Sequence, residues 1–259
     1  MTASIAEFLQ SSERIEADEL KTFHGFTGLH GGLAVAALIR RMRQLVPPER
    51  RLVSVTAHFI RPLAGPITVA ADVVRNGSRV TVASATASTQ SGTGVTATAI
   101  FGVTAKRDVT VFGPAMPTGI AGISEAEIVR IPAEFIPIAA RMEIRAATPA
   151  LPYSGSAEAI LCGWVRLKDD VPDADERITI LADALAPSYT ALLTDLYAVP
   201  TVEMSVQLSG RGADTRFEWA LVRAATTSAD AHGYVRETID VWAEGGDHLA
   251  SCSQLRFVR

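Results

Sequence analysis

The sequence predicts an α+β fold built from two tandem units, each with one central helix wrapped by a curled antiparallel sheet. Three observations carry this. An apolar helical run followed by four alternating runs appears near 31–103 and again near 176–258. The first helical run is apolar almost all round, which suits a helix enclosed by its own sheet. The runs behind each helix alternate with period two, as strands with one buried face do. One helix-plus-sheet plan stated twice means two fused half-barrels rather than two unrelated domains.

The first helix is GGLAVAALIRRM. Its polar residues Arg40, Arg41 and Arg43 come only at its exit, before Pro47-Pro48 stops it. The strand runs LVSVTAHFI, ITVAADVVR, RVTVASATAS and GVTATAIFGV follow. In the first of them Val53, Val55, Ala57 and Phe59 alternate with Ser54, Thr56, His58 and Ile60, so each set is expected to share a face. Asn76-Gly77 between two such runs is a strong hairpin signal, and Ser91-Gly92-Thr93-Gly94 marks the next turn. This first unit is expected over 1–104.

The Pro- and Gly-rich VFGPAMPTGIAG and the acidic SEAEIVRI after it predict a linker over 105–137. The second unit is then expected over 138–259. ARMEIRA and EAILCGWVRLK read as strands preceding its helix, RITILADAL. The runs TVEMSVQLS, TRFEWALVRA, GYVRETIDVW and HLASCSQLRFV complete it.

Composition narrows the class. At 259 residues the chain has room for one large domain or two of about 120 residues. Its 48% hydrophobic content against 20% charged supports a sizeable core, and the net charge of −4 argues against nucleic acid as a partner. No apolar run approaches the roughly 20 residues needed to cross a bilayer, so no membrane partner is expected. The N-terminal MTASIAEFLQSSERIEADELK is acidic and broken by polar residues, unlike a secretory signal. A soluble cytoplasmic protein is expected. Cys162 and Cys252 cannot form a disulfide framework or a thiolate zinc site, and read as reduced core thiols; no metal is expected.

Several residues stand out chemically. Asp183 lies in the otherwise apolar ITILADALAP near the end of a helix segment. Burial and the C-terminal end of the helix dipole both disfavour its charge, which suits a general base. The alternative is a polar helix edge, or an aspartate satisfied by a neighbouring backbone turn. His30-Gly31-Gly32 opens the first helix. Glycines there leave backbone N–H groups open to an approaching anion or oxyanion, though a tight packed turn explains Gly-Gly equally well. His30 is either a ligand-facing group or simply the residue before the cap. Thr201 and Gln254 are polar residues in the second sheet that chemistry alone would not select. His58 reads as a structural or a catalytic histidine. Arg40, Arg41 and Arg43, with Arg50 and Arg51, form either a solvated helix exit or a cationic rim for an anionic cofactor such as coenzyme A. No P-loop, dinucleotide fingerprint or G-x-S-x-G elbow is present.

Together these residues resemble the acyl-CoA thioesterase II family, whose members are double-hotdog proteins. The stretch HGGLAVAALIRRMRQLVPPERRLVSVTAHFIRPLAG carries the likeness in the first half. ARMEIRA, WVRLKDDVPDADERITILADALAP, PTVEMSV and LASCSQLRFVR carry it in the second. The resemblance implies hydrolysis of an acyl-CoA thioester to a free acid and CoA. It needs no cofactor beyond the CoA of the substrate. It assigns water activation to Asp183, Thr201 and Gln254, with an oxyanion donor at Gly31 or Gly32 and His30 and His58 on the substrate side. Arg40, Arg41 and Arg43 become candidates for the CoA. His30, Leu33 and Glu203 depart from the family's usual aromatic, glutamine and aspartate, and they border the expected acyl pocket. Two other readings share the architecture: a binding module for acyl-CoA or acyl carrier without turnover, and an enoyl-CoA hydratase. The hydratase needs a close Asp/His pair at the head of a central helix, and the nearest pair, Asp230 and His232, falls between strands. Open sheet edges and faces predict a homodimer or higher homo-oligomer.

Overall fold

The computed structural model describes residues 3–11, 14–15, 20–105, 108–212 and 215–259. In chain order the elements that position the site are helix α1 (Ile5–Gln10), β1 (Arg14–Ile15), central helix α2 (Gly31–Arg43) and strands β2 (Arg51–Phe59), β3 (Ile67–Asn76), β4 (Val80–Thr89) and β5 (Gly92–Gly102). The second half holds β6 (Glu127–Ile128), β7 (Met142–Ala146), β8 (Ile160–Leu167), central helix α3 (Ala174–Leu181), β9 (Thr201–Leu208), β10 (Ala220–Ala229), β11 (Tyr234–Ala243) and β12 (His248–Phe257).

Among the described residues these strands make one sheet in the order β1-β3-β4-β5-β2-β9-β12-β11-β10-β8-β7-β6. The pattern β2-β5-β4-β3 in the first half is repeated outward from the centre as β9-β12-β11-β10 in the second. The units join edge to edge where β2 pairs antiparallel with β9, Val55 opposite Val206 and His58 opposite Glu203. That pairing removes the two strand edges that separate half-barrels would have exposed. Inside the curl, α2 is buried from Gly32 through Ile39 and again at Met42, as its all-round apolar sequence requires.

The two central helices lie antiparallel. Gly32 at the start of α2 meets Thr179 and Ile180 near the end of α3. At the opposite end, Arg40 bonds Glu176 near the start of α3. The helix pair and the inner sheet faces form one continuous core.

Two expectations need correction. In β2 it is Leu52 that is buried, while Val53 is 46% exposed. A β-bulge between Leu52 and Ser54 inserts one residue and reverses the alternation at that point. The stretch expected as a linker over 105–137 is not a free connector. Its strand β6 pairs with β7, so the second sheet begins before residue 138. Upstream of β6, Met116, Ile120, Ala121 and Ile123 pack on a separate cluster containing the chain's three tryptophans, Trp164, Trp219 and Trp242. Trp164 and Trp242 alternate along their strands with Val165 and Val241 of the main core, so this cluster lies on the sheet face away from the helices. Indole N–H donation from Trp164 to the Ala121 carbonyl and from Trp242 to the Pro114 carbonyl ties the strap down. No helix among the described residues is long and apolar enough to cross a membrane.

Candidate active site

Asp183 follows the C-cap of α3, Ala182, and its own helix offers it the unfavourable end of a dipole. The fold supplies the opposite end of another. The Asp183 Oδ2 accepts the N–H of Gly32 in the first turn of α2 at 2.8 Å, where a negative charge is stabilised. This contact explains the paired glycines. Neither has a left-handed φ. A Cβ on Gly31 would stand 2.7 Å from Asp183 Oδ2, and one on Gly32 would stand 2.9 Å from Asp183 Cβ and 3.0 Å from the Ile180 Cα. Glycine is there so that carboxylate and helix can touch.

The other carboxylate oxygen, Oδ1, accepts from Gln254 Nε2 at 2.9 Å. Thr201 Oγ1 donates to Gln254 Oε1 at 2.8 Å and accepts from Arg256 Nη1 at 2.8 Å. Arg256 in turn donates through Nε to Glu237 Oε2 at 2.7 Å, and its Nη2 stands 4.0 Å from Asp183 Oδ1. The second Glu237 oxygen accepts the Ser188 backbone N–H. Arg256 and Glu237 are 5% and 1% exposed, so this pair of charges is held inside the protein.

Thr201 reaches the group only through a bulge. Leu255 lies opposite Glu203 but Arg256 lies opposite Thr201, so Val202 is an extra residue in β9. Strict alternation would put Thr201 on the outer face with Glu203. The bulge re-aims it inward beside Gln254 and Arg256.

His30 is the N-cap of α2. Its Nδ1 accepts from the Leu33 N–H at 3.3 Å, so Nε2 carries the proton and donates to the Asp183 carbonyl at 2.9 Å. It therefore clamps the main chain of Asp183 against the head of α2. Both thiols are poor nucleophiles. Burial pushes Cys162 up to about 11, and burial followed by the nearby Asp183 charge pushes Cys252 higher still. Just past Asp183, Leu185 and Ala186 line an apolar cavity of about 70 Å³ with Ile144, Ala146, Leu161 and Gly163. A larger groove, about 440 Å³, is lined by Phe112, Gln207 and His248 and does not include these residues.

Of the expected site residues, Asp183, Thr201, Gln254, Gly31, Gly32 and His30 come together. The Gly32 N–H is already bonded to Asp183, which leaves Gly31 as the candidate oxyanion donor. His58 does not join them. Its side chain is 58% exposed and pairs with Glu203 at 3.2 Å on the outer face. The expected arginine rim is also corrected. Arg40 forms a two-pronged ion pair with Glu176, and Arg43 bonds Asp175 at 2.6 Å. Arg41 donates to Gln44. These arginines sit toward the far end of α2, about 14–18 Å from its start at 1.5 Å per residue. The carboxylates that occupy Arg40 and Arg43 arrive from the second helix, which residue spacing in the first could not reveal. Asp230 accepts the N–H groups of His232 and Tyr234 in a turn between β10 and β11, so that Asp/His pair is structural. Arg256 and Glu237 were not singled out from the sequence. Glu237 is a charged residue on the otherwise apolar face of Val235, Ile239 and Val241, and that break in alternation was the available signal; Arg256 shares its face with Gln254.

A repeated hotdog unit with a polar constellation built from both central helices and the second sheet defines a double-hotdog protein with a candidate composite site. Models of the acyl-CoA thioesterase N-terminal and C-terminal domains match residues 22–102 and 121–258. The chain belongs to the acyl-CoA thioesterase family. Solved structures agree on the fold. A hot dog fold protein of unknown function from Alicyclobacillus acidocaldarius is similar at 22% identity and a TM-score of 0.80, covering 95% of this chain and 91% of its own. An acyl-CoA thioesterase II from Mycobacterium marinum is similar at 18% identity and a TM-score of 0.68, covering 95% and 92%. A tesB protein from Mycobacterium avium subs paratuberculosis is similar at 18% and 0.69, covering 90% and 88%. A search of curated protein sequences finds no match.

Proposed function

We propose that this protein hydrolyses acyl-CoA thioesters with a water held by Asp183, Thr201 and Gln254. The observation that carries this is the hydrogen-bonded run from Asp183 through Gln254 to Thr201, closed on Asp183 by the Gly32 N–H. Counting donors and acceptors defines what the run leaves open. Thr201 spends its proton on Gln254 and one lone pair on Arg256, so one lone pair remains. Gln254 has a second N–H, and each carboxylate oxygen of Asp183 has a further lone pair. A water among them gives one proton to Asp183 and one to Thr201, and accepts from Gln254. Its remaining lone pair is free to attack.

In the step itself, the water oxygen bonds to the thioester carbon as Asp183 takes the water proton. The carbonyl oxygen becomes an oxyanion facing the Gly31 N–H at the head of α2. The C–S bond then breaks, the sulfur takes the proton from Asp183, and free acid and CoA leave. The apolar cavity that begins at Leu185 and Ala186, two and three residues past Asp183, is the candidate site for the acyl chain.

The test is thiol release from a panel of acyl-CoAs, short to long, by the wild type and by Asp183→Asn. Turnover in the wild type and its loss in the variant are expected. Tight CoA thioester binding with no thiol release would overturn the reading in favour of a binding module.

A further inference from the structure

The buried pair Arg256–Glu237 is tied into the same hydrogen-bonded run through Thr201, and neither residue is one of the three that hold the proposed water. We infer that Arg256, held by Glu237, is the positioning residue that fixes the direction of the Asp183–Gln254–Thr201 run; this rests on the thioesterase reading above.

The reason lies in what each member can donate. Arg256 is a donor only, and an ionised Asp183 is an acceptor only. The hydroxyl of Thr201 and the amide of Gln254 between them can each point either way. Donation from Arg256 Nη1 occupies one lone pair of Thr201, which leaves its proton for Gln254 Oε1 and turns the amide N–H groups toward Asp183. Without that donor the Thr201 hydroxyl can rotate off Gln254. An ionised Asp183 still draws the Gln254 N–H, but once Asp183 takes the water proton it can donate as well, and the amide can then flip and lose the N–H that holds the water.

Arg256 is itself fully constrained. Nε is on Glu237, Nη1 is on Thr201 and Nη2 stands 4.0 Å from Asp183, so one planar fork serves three partners. Glu237 also takes the Ser188 N–H. It thus ties Arg256 to the segment that leads out of Asp183.

The test is a double-mutant cycle on thioester hydrolysis with Arg256→Lys and Thr201→Val. Lysine keeps a buried positive charge opposite Glu237, and so keeps the fold, but it cannot span three partners. Arg256→Lys should lower kcat on the order of 10²-fold with KM unchanged, the scale of a misplaced catalytic group. If Arg256 acts through Thr201, the double variant should fall no further than Thr201→Val alone. A second variant, Arg256→Met with Glu237→Gln, removes both buried charges together and should show the same non-additivity. Effects that multiply in the double variant, or wild-type kcat in Arg256→Lys, would overturn the inference. Absence of thiol release from the wild type would instead overturn the thioesterase reading, so the two failures are distinguishable.

Discussion

At one end of the paired central helices, Gly32 hydrogen-bonds Asp183 beside Gln254 and Thr201; at the other, Arg40 and Arg43 close on Glu176 and Asp175. The sheet shows that these ends are equivalent positions of the repeat. In the second unit Thr201 faces Arg256 across a bulge, with Gln254 two residues before and Glu237 opposite Gln254. In the first unit Leu52 faces Phe101 across a bulge, with Ala99 two residues before and Ala83 opposite Ala99. So Thr201, Gln254, Arg256 and Glu237 correspond to Leu52, Ala99, Phe101 and Ala83, all four of which are buried. The repeat preserved backbone geometry down to the bulge and replaced the chemistry. One end became a hydrogen-bonded site and the other a clamp between helices.

The sharpest way to break this comparison is Asp183→Asn. Turnover should fall on the order of 10²–10⁴-fold, as for loss of a general base. Thermal unfolding should move little. The new amide keeps the carboxylate's shape and its oxygen on the Gly32 N–H, and the loss of one bond to Gln254, about 1 kcal/mol, is offset by removal of a buried charge. Thiol release and unfolding measured on the same preparations check both halves, and full turnover in the folded variant would place water activation elsewhere.

Next in size are the two glycines. Gly31→Ala puts a methyl against the carboxylate oxygen and should cost about 10²-fold in kcat by displacing it. Gly32→Ala meets main-chain atoms of Thr179 and Ile180, so the helices must part. It should lose activity and also about 1–3 kcal/mol of stability. Denaturant titration of the pair separates the two effects; equal stability losses would show that Gly31 also serves helix packing.

At the clamp end the expectation reverses. Arg40→Met leaves Glu176, 1% exposed, without its partner and should cost roughly 3 kcal/mol. At about 2–4 °C per kcal/mol, Tm should drop by roughly 6–12 °C while kcat stays at the wild-type level. A fall in kcat with no change in Tm would mean that the second end also takes part in catalysis.

The smallest effect is on pH. Burial holds the Glu176 carboxyl above its ordinary value of 4.5, against the opposing bond from Arg40. The folded state therefore keeps a proton that the unfolded chain has already released. Its contribution is fully present below the unfolded value and is lost as pH rises through the folded one. Unfolding free energies of the wild type and Glu176→Gln, measured from pH 4 upward, should diverge in that sense. The wild type should lose stability relative to Glu176→Gln as pH rises; a wild type that gains stability relative to the variant over that range would refute the burial explanation.

Much of the fold was legible because its signals are local. The enclosed helix showed in an unbroken apolar run, the strands in their alternation, and the β3–β4 hairpin at Asn76-Gly77. Where local pattern was not the deciding force, reading by period two erred. Val53 was grouped with the core residues of β2 and stands outside it. Alternation alone places Thr201 on the outer face, and only family resemblance brought it to the site. A bulge lies behind both, and one inserted residue reverses every face downstream of it. The Pro- and Gly-rich stretch before β6 has linker composition, yet it is fastened by two indole N–H bonds whose partners are distant in sequence.

The sequence by itself determined that this protein is two copies of a helix wrapped by four strands, because periodicity and turn chemistry act over a few residues and need no partner. It also carried the residue types of the site, and in Glu237 it marked a charge on an otherwise apolar face. Only the tertiary structure decided what those residues do. Asp183 is 151 positions from the Gly32 N–H that receives it, and Arg40 is 136 from Glu176. Such pairings depend on which edges of the two sheets join and on how closely the helices cross. Those are properties of the packed whole, set by the β2–β9 junction and the space two glycines leave.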